Sequence, residues 1–433
     1  MIKIIHTRDK TFEETFFRIK RRGKLFDDKL WALVRGIVED VAKRGDEALF
    51  AYTEKFDGVS LNAKTVEASS GEIEAALDRV SKEDLRALKL AAERIEKFHL
   101  KQEAPGLMTS EEEGIELGQR VLPLERVGIY APGGSAVYPS TVLMAAIPAR
   151  IAGVEEMVLV TPCKSGELNP FIAAAAGLGG VARIFKIGGA QAIAALAYGT
   201  TSVPAVDKIV GPGNAYVAAA KKMVYGQVAI DMIAGPSEVL VIADGTAVAA
   251  HAAADLLAQA EHDVMASAVL LTPLEALARQ VAGEVEKQLP ELSRRDVAKQ
   301  SIEDFGALIV TRDMEEAIAI ANRFAPEHLE LMVADFAEVL KKVKNAGAAF
   351  LGGSTPETLG DYIAGPNHIL PTGGTARFSS PLGVYDFVKR TSVLCFSQEA
   401  LQKYGAAAAR LAGMEGFDAH ARSVTLRMKG KTS

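Results

Sequence analysis

The stretch Leu257-Ala-Gln-Ala-Glu-His-Asp263 closes a segment otherwise made almost wholly of alanine and leucine. At about 100° per residue, His251, Asp255, Gln259 and His262 fall within a stripe of roughly 80° on a helix, while Glu261 points about a quarter-turn or more away. A solvated face is the ordinary reading of such a stripe. Here Ala, Val and Leu fill nearly every other position, so the helix reads as buried all round. An unpaired polar group in a core costs about 1–3 kcal/mol, and a metal ion, a substrate or a hydrogen-bonded network would supply the partners.

Few residues can join them, because the chain has only seven histidines. His6 and His99 lie in the N-terminal region without a polar cluster and read as structural or exposed. Glu327 and His328, in RFAPEHLELMV, follow Pro326, which ends a helix before a strand near Leu329. The pair therefore sits on a turn from which a base can reach into a cleft, although such pairs on turns are commonly just solvated. In FLGGSTPETLGDYIAGPNHILPTGGTARFSS, a long connection rich in Gly, Pro, Ser and Thr, Asp361 and His368 are the candidate ligands. His420 stands near Glu415 in MEGFDAHARSV. Were Gln259, His262, Asp361 and His420 to gather on one cation, two imidazoles, one carboxylate and one amide oxygen would suit Zn²⁺, with Co²⁺ or Mn²⁺ as substitutes.

The elements that must position these groups fall into three regimes. Residues 8–104 are rich in Lys, Arg, Glu, Ala and Leu with helical spacing, as at Leu85, Leu88, Ala92 and Ile95. From Val127 to about Leu351, β-branched runs such as VGIY, MVLV, EVLVI, AVLLT and LELMV alternate with helical patterns, the mark of parallel α/β layers. The break at Gly235-Pro-Ser237 divides this series. The fold expected is α/β, with two Rossmann-like parallel α/β domains, a helical N-terminal region and a C-terminal tail. Its expected limits are an N-terminal extension at 1–25, a helical region at 26–126 packing with 236–381 as the larger α/β domain, a second α/β domain at 127–235, and the tail at 382–433. KIGGAQAIAALAYGT and KIVGPGNAYVAAAKKMV each read as strand, glycine turn and helix, which aims free N–H groups at an anion. Neither completes G-x-G-x-x-G, since Tyr216 stands where the third glycine of the second should be.

Composition excludes several classes. A 433-residue chain exceeds one core. With 49 basic against 55 acidic residues and no basic run, nucleic acid is excluded as an expected partner. Two cysteines, Cys163 and Cys395, give neither a disulfide framework nor a thiolate metal cage, which fits a reducing cytoplasm. The most apolar run, Val142 to Val160, is interrupted by Pro148, Arg150, Gly153 and two glutamates, so no membrane span is expected.

GGAQAIAALAYGT, VDKIVGPGNAYV, IDMIAGPSEVLVIAD, LLAQAEHD, APEHLEL, GDYIAGPNHILPT, GTARFSS and EGFDAHARSV closely resemble, in order, blocks of the histidinol dehydrogenase family. The resemblance spans about residues 127–425, and IDMIAGPSE is its most specific block. It implies oxidation of L-histidinol through the aldehyde to L-histidine with two NAD⁺, in a zinc enzyme that forms a homodimer with exchanged tails. It implies zinc held by Gln259, His262, Asp361 and His420, and a catalytic pair of Glu327 and His328. Ser237 and Glu415 would join these residues in contacting substrate, and Tyr130, Gln191 and Asn214 would contact NAD. His251, Asp255 and His368 acquire no role from it and read as structural or supporting. A metal-dependent hydrolase could use the same zinc and Glu-His pair, but would have no use for a dinucleotide.

Overall fold

Strands that return through helices re-enter a sheet in the same direction, so the alternation read above should build parallel sheets buried on both faces. The computed structural model describes residues 2–22, 28–102, 106–133, 137–163 and 166–429. Its strands are Lys3–His6 (β1), Leu107–Glu112 (β2), Ile115–Pro123 (β3), Arg126–Tyr130 (β4), Glu156–Val160 (β5), Arg183–Phe185 (β6), Lys208–Val210 (β7), Ala229–Ile230 (β8), Glu238–Ala243 (β9), Ser267–Thr272 (β10), Ala307–Val310 (β11), His328–Met332 (β12), Ala348–Leu351 (β13) and Val388–Phe396 (β14).

Two all-parallel sheets result. One has the order β6-β5-β4-β7-β8, the other β1-β11-β10-β9-β12-β13. Counted from its first α/β strand, each runs 3-2-1-4-5, with β1 added beyond β11. Every residue of β9 and β10 is buried, as central strands covered on both faces require. The chain divides into two compact units, one of residues 1–102 and 124–387, the other of 103–123 and 388–433. Both parallel sheets belong to the first.

The N-terminal segments depart from expectation. Residues 2–22 are no mere extension: β1 pairs with β11, and helix Phe12–Lys20 buries Phe12, Phe16 and Ile19 in one core with Ile318 and Phe324. Helices Asp28–Arg44 and Asp46–Asp57 do not pack with 236–381. They place Val34, Ile37, Val41 and Leu49 in a core with Phe185, Ile193 and Leu196 of the five-stranded sheet's layer. Helix Lys82–His99 joins the core on the sheet's other side, through Ile95 with Val142 and Met144. The alanine-rich helices Pro139–Ala152 and Gly189–Tyr198 present small side chains to these partners, which leaves room for the larger apolar stripes to seat. Residues 107–123, placed within the helical region by the sequence, are instead the strands β2 and β3.

In the second unit β14, β3 and β2 form an antiparallel sheet, and helices Gln398–Met414 and Asp418–Met428 are tied by Gln398 and Gln402 side chains donating to the Arg427 and Met428 carbonyls. Among the described residues no helix is long and apolar enough to cross a membrane.

The motifs at the turns have structural causes. Gly211 ends β7 at φ 114°, and a Cβ there would lie 2.2 Å from the Tyr130 carbonyl oxygen, so only glycine fits. Asp231 accepts from the Gly211 N–H at 2.7 Å and is ion-paired to Lys221, whose ammonium donates to the Gly211 carbonyl at 2.8 Å. Both side chains are buried, so this pair staples the turn. Removing one partner leaves a buried, unpaired charge: Asp231→Ala is expected to cost about 3–5 kcal/mol in denaturant unfolding, and a loss within experimental error would contradict the staple.

Candidate active site

The two sheets offer opposite ends to one cleft. Tyr130 closes β4 and Gly211 follows β7 at the carboxyl edge of the five-stranded sheet, whereas Glu238 opens β9 and His328 opens β12 at the amino edge of the six-stranded one. Residues from both edges line a cavity of about 1330 Å³.

The Glu327-His328 pair is fixed by its backbone. Helix Met314–Phe324 ends at Ala325, which has φ 55°, and Pro326 prevents its continuation. The Gly347 and Ala348 N–H groups then donate to the Pro326 and Glu327 carbonyls at 2.8 Å each, seating the pair beside β13. His328 Nδ1 lies 3.1 Å from the Glu238 carbonyl, which can only accept, so Nδ1 carries the proton and Nε2 the lone pair. Nε2 is buried and has no hydrogen-bond partner among the described residues, and lies 3.8 Å from Asp361 Oδ1. Burial pushes this imidazole down to about 3, so it is neutral at neutral pH with its basic nitrogen free.

Glu327 is held by a reciprocal pair of bonds: the Glu238 N–H donates to Glu327 Oε2 at 3.0 Å and the Glu327 N–H to Glu238 Oε1 at 3.2 Å. Burial, then the neighbouring Glu238 charge, raises the Glu327 carboxyl well above its ordinary range. A shift in this direction makes the ionised carboxylate a stronger proton acceptor than an ordinary one.

The polar stripe of helix Ala249–Ala260 divides in two. Gln259, fully buried, places its amide nitrogen 3.0 Å from Glu357 Oε1, and His262 follows in the turn beyond the helix. Asp255 instead lies beside Glu330 of β12, and burial, then the Asp255 charge, pushes Glu330 up to about 9. His251 is exposed. The long Gly/Pro-rich connection contains a short helix, Glu357–Tyr362, that brings Glu357 and Asp361 onto one face. Ligand atoms of His262, Glu357 and Asp361 all lie within 4.8 Å of one another. Burial lowers His262 and raises both acids, Asp361 to about 7. One neutral imidazole and two carboxylates short of countercharge are what a divalent cation with N/O preference needs, and the donor set fits zinc. His368 points Nδ1 at the Asp361 carbonyl, 2.8 Å away, and burial pushes it down to about 4, so it steadies the helix as a neutral donor.

On the opposite wall the Gly189 N–H donates to the Tyr130 hydroxyl at 3.1 Å. Gln191 is buried at the start of helix Gly189–Tyr198, and its Nε2 has no partner among the described residues. Asn214 caps helix Ala215–Val224, accepting from the Tyr216 and Val217 N–H groups at 3.1 Å each. Ser237 lines the cleft just before β9. Glu415 and His420 belong to the second unit, where both are exposed. Sequence reasoning missed Glu357, whose signal was its four-residue spacing from Asp361, and Glu238, hidden behind what reads as a domain break.

A family model described as histidinol dehydrogenase matches residues 20–428. The histidinol dehydrogenase of Geobacter metallireducens is 54% identical over 431 residues, covering 99% of each chain. That of Acinetobacter baylyi is 50% identical over 428 residues, covering 99% of this chain and 100% of the relative. The crystal structure of histidinol dehydrogenase from Elizabethkingia anophelis superposes with a TM-score of 0.92 at 39% identity, covering 100% of this chain and 99% of that one.

The raised acids carry a stability signature. Asp361 goes from an ordinary 3.8 to about 7 on folding, so across that window the unfolded chain ionises first and the metal-free fold loses stability as pH rises. Added Zn²⁺ is expected to raise the melting temperature by at least a few °C, and by more near pH 7.5 than near pH 5.5. A zinc-induced shift that is absent or larger at the acid end would contradict the cation site.

Proposed function

The chain belongs to the histidinol dehydrogenase family, and from that premise we propose that it oxidises L-histidinol through L-histidinal to L-histidine with two NAD⁺ and one Zn²⁺ per subunit. The observation that carries this reading is the buried Nε2 of a neutral His328, without a partner among the described residues, facing the cluster of His262, Glu357 and Asp361 with Glu327 beside it.

Gln259, His262 and Asp361 would hold the metal with His420. When bound, zinc would orient the substrate's nitrogen and oxygen donors and draw electron density from them. NAD, contacted by Tyr130, Gln191 and Asn214, would accept one hydride in each oxidation. His328 Nε2 takes the alcohol proton as the carbinol C–H is lost, which gives the aldehyde. Glu327 then takes a proton from water as the water oxygen adds to the aldehyde carbon, while His328 returns its proton to the carbonyl oxygen to complete the hydrate; His328, again neutral, takes a hydroxyl proton of that hydrate in the second oxidation, which gives the acid. Ser237 and Glu415 would hold the substrate in register.

The protein is further proposed to be a homodimer whose tails exchange, so that a partner's Glu415 and His420 complete each site. The second unit's exposed Leu394, Leu411, Met414 and Phe417 support this, since large apolar groups gathered on one small unit call for a covering surface.

The test is the amount of reduced cofactor formed per molecule of limiting L-histidinol with zinc-loaded protein and excess NAD⁺. Two equivalents are expected, and one would mean that the chemistry stops at the aldehyde. Glu327→Gln should slow aldehyde oxidation by about 10²-fold or more while alcohol oxidation falls far less, whereas His328→Asn should impair both by about 10²-fold or more. Equal losses in the glutamate variant would contradict the division of roles.

A further inference from the structure

Arg22 lies outside every assigned role, in a segment the sequence marks as a mere extension, yet its guanidinium is almost fully buried. Its hydrogen bonds converge on the site. Nε donates to the Met265 carbonyl at 2.9 Å, on the loop that follows His262, and Nη1 to the Ile19 carbonyl at 3.1 Å. Nη2 donates to the Pro236 and Ser237 carbonyls at 3.1 Å each and to Glu238 Oε2 at 2.8 Å. Glu238 Oε1 in turn accepts from the N–H groups of Glu327 and Gly373, and the Glu238 N–H donates to the Glu327 carboxylate.

We infer that Arg22 is a positioning residue, which acts through Glu238 to hold the Glu327 carboxyl group aimed into the cleft and through the Ser237 carbonyl to set the substrate-side loop. Two carboxylates this close in a buried site cannot both keep their charge unless a cation stands beside them. Arg22 is the guanidinium that contacts Glu238, and its planar fork reaches carbonyls on three segments at once, which an ammonium could not. Without it, the Glu238 carboxylate is left buried beside Glu327 with no guanidinium to compensate it, which disfavours the negative charge that Glu327 needs as a base. The inference rests on the role of Glu327 proposed above.

The test compares Arg22→Met, Arg22→Lys, Glu238→Gln and the double variant Arg22→Met/Glu238→Gln as zinc-loaded full-length proteins. KM and kcat are measured separately with L-histidinol and with L-histidinal, and folding is checked by thermal melting. Arg22→Met is expected to lower kcat for aldehyde oxidation by about 10- to 100-fold and for alcohol oxidation by less than about 5-fold, with a raised KM for both. Neutralising the partner removes the need for the cation, so the double variant should recover most of the aldehyde kcat but not the KM, a non-additivity that a packing role would not produce. Arg22→Lys keeps the charge and loses the fork, so it should retain the aldehyde kcat with a raised KM, and it serves if Arg22→Met fails to fold. Equal loss in both half-reactions, or a double variant no better than Arg22→Met, would overturn the inference. Wild-type protein inert toward both substrates would instead overturn the function on which it rests.

Discussion

The site depends on how charge is balanced among carboxyl groups crowded out of water. Asp255, Glu238, Glu327, Glu330 and Glu357 are buried and Asp361 nearly so, all on elements that meet at the amino edge of one sheet. Each would be driven neutral by burial and by its neighbours unless something compensates it. Three devices do so. Glu330, beside Asp255, is pushed up to about 9 and so carries a proton near neutral pH, and it accepts from the Glu357 N–H at 2.8 Å at the start of the helix that carries Asp361. Arg22 compensates Glu238 and with it Glu327. Glu357 and Asp361 lie beside neutral imidazoles and within reach of one ion, and a divalent cation is the compensation their chemistry calls for.

The two parallel sheets repeat one strand order but serve the cleft from opposite ends. The five-stranded sheet offers its carboxyl edge, where glycine turns and helix starts present N–H groups and the orphaned Gln191 amide, as open α/β sheets do for anionic ligands. The six-stranded sheet offers its amino edge, where strand-opening residues point acids and bases at the same space. The proposed dinucleotide and alcohol would thus be brought face to face largely by rigid elements, with turns supplying Ser237 and His262.

The polar stripe of Gln259 and His262 was legible because the helical period leaves no alternative once the other faces are alanine and leucine, and Glu327-His328 because Pro326 forces a turn there. The alternation that gives the parallel sheets was equally plain, since β9 and β10 carry the apolar runs Val239–Ala243 and Ala268–Leu271. Other parts were not. Glu357 and Asp361 share a helix only six residues long within a Gly/Pro-rich stretch, too short for periodicity to mark. Amphipathic stripes on 28–99 show that those helices pack, but not which sheet receives them, because an apolar face does not name its partner. Asp255 lies on the same stripe as Gln259 and is absorbed by Glu330, a distinction that only the fold can make. Arg22 could not be read at all, since its significance lies in carbonyls brought from segments more than 200 positions away.

The measurement that bears most directly on this charge balance is the number of protons released per zinc bound to the metal-free protein at about pH 6, from calorimetry in buffers of differing ionisation enthalpy. Asp361, held up at about 7, is then largely protonated and must ionise to bind. Release of about one proton per zinc is expected. Binding without release would mean that the acids are ionised and balanced by something else, and would contradict the role given to the cation.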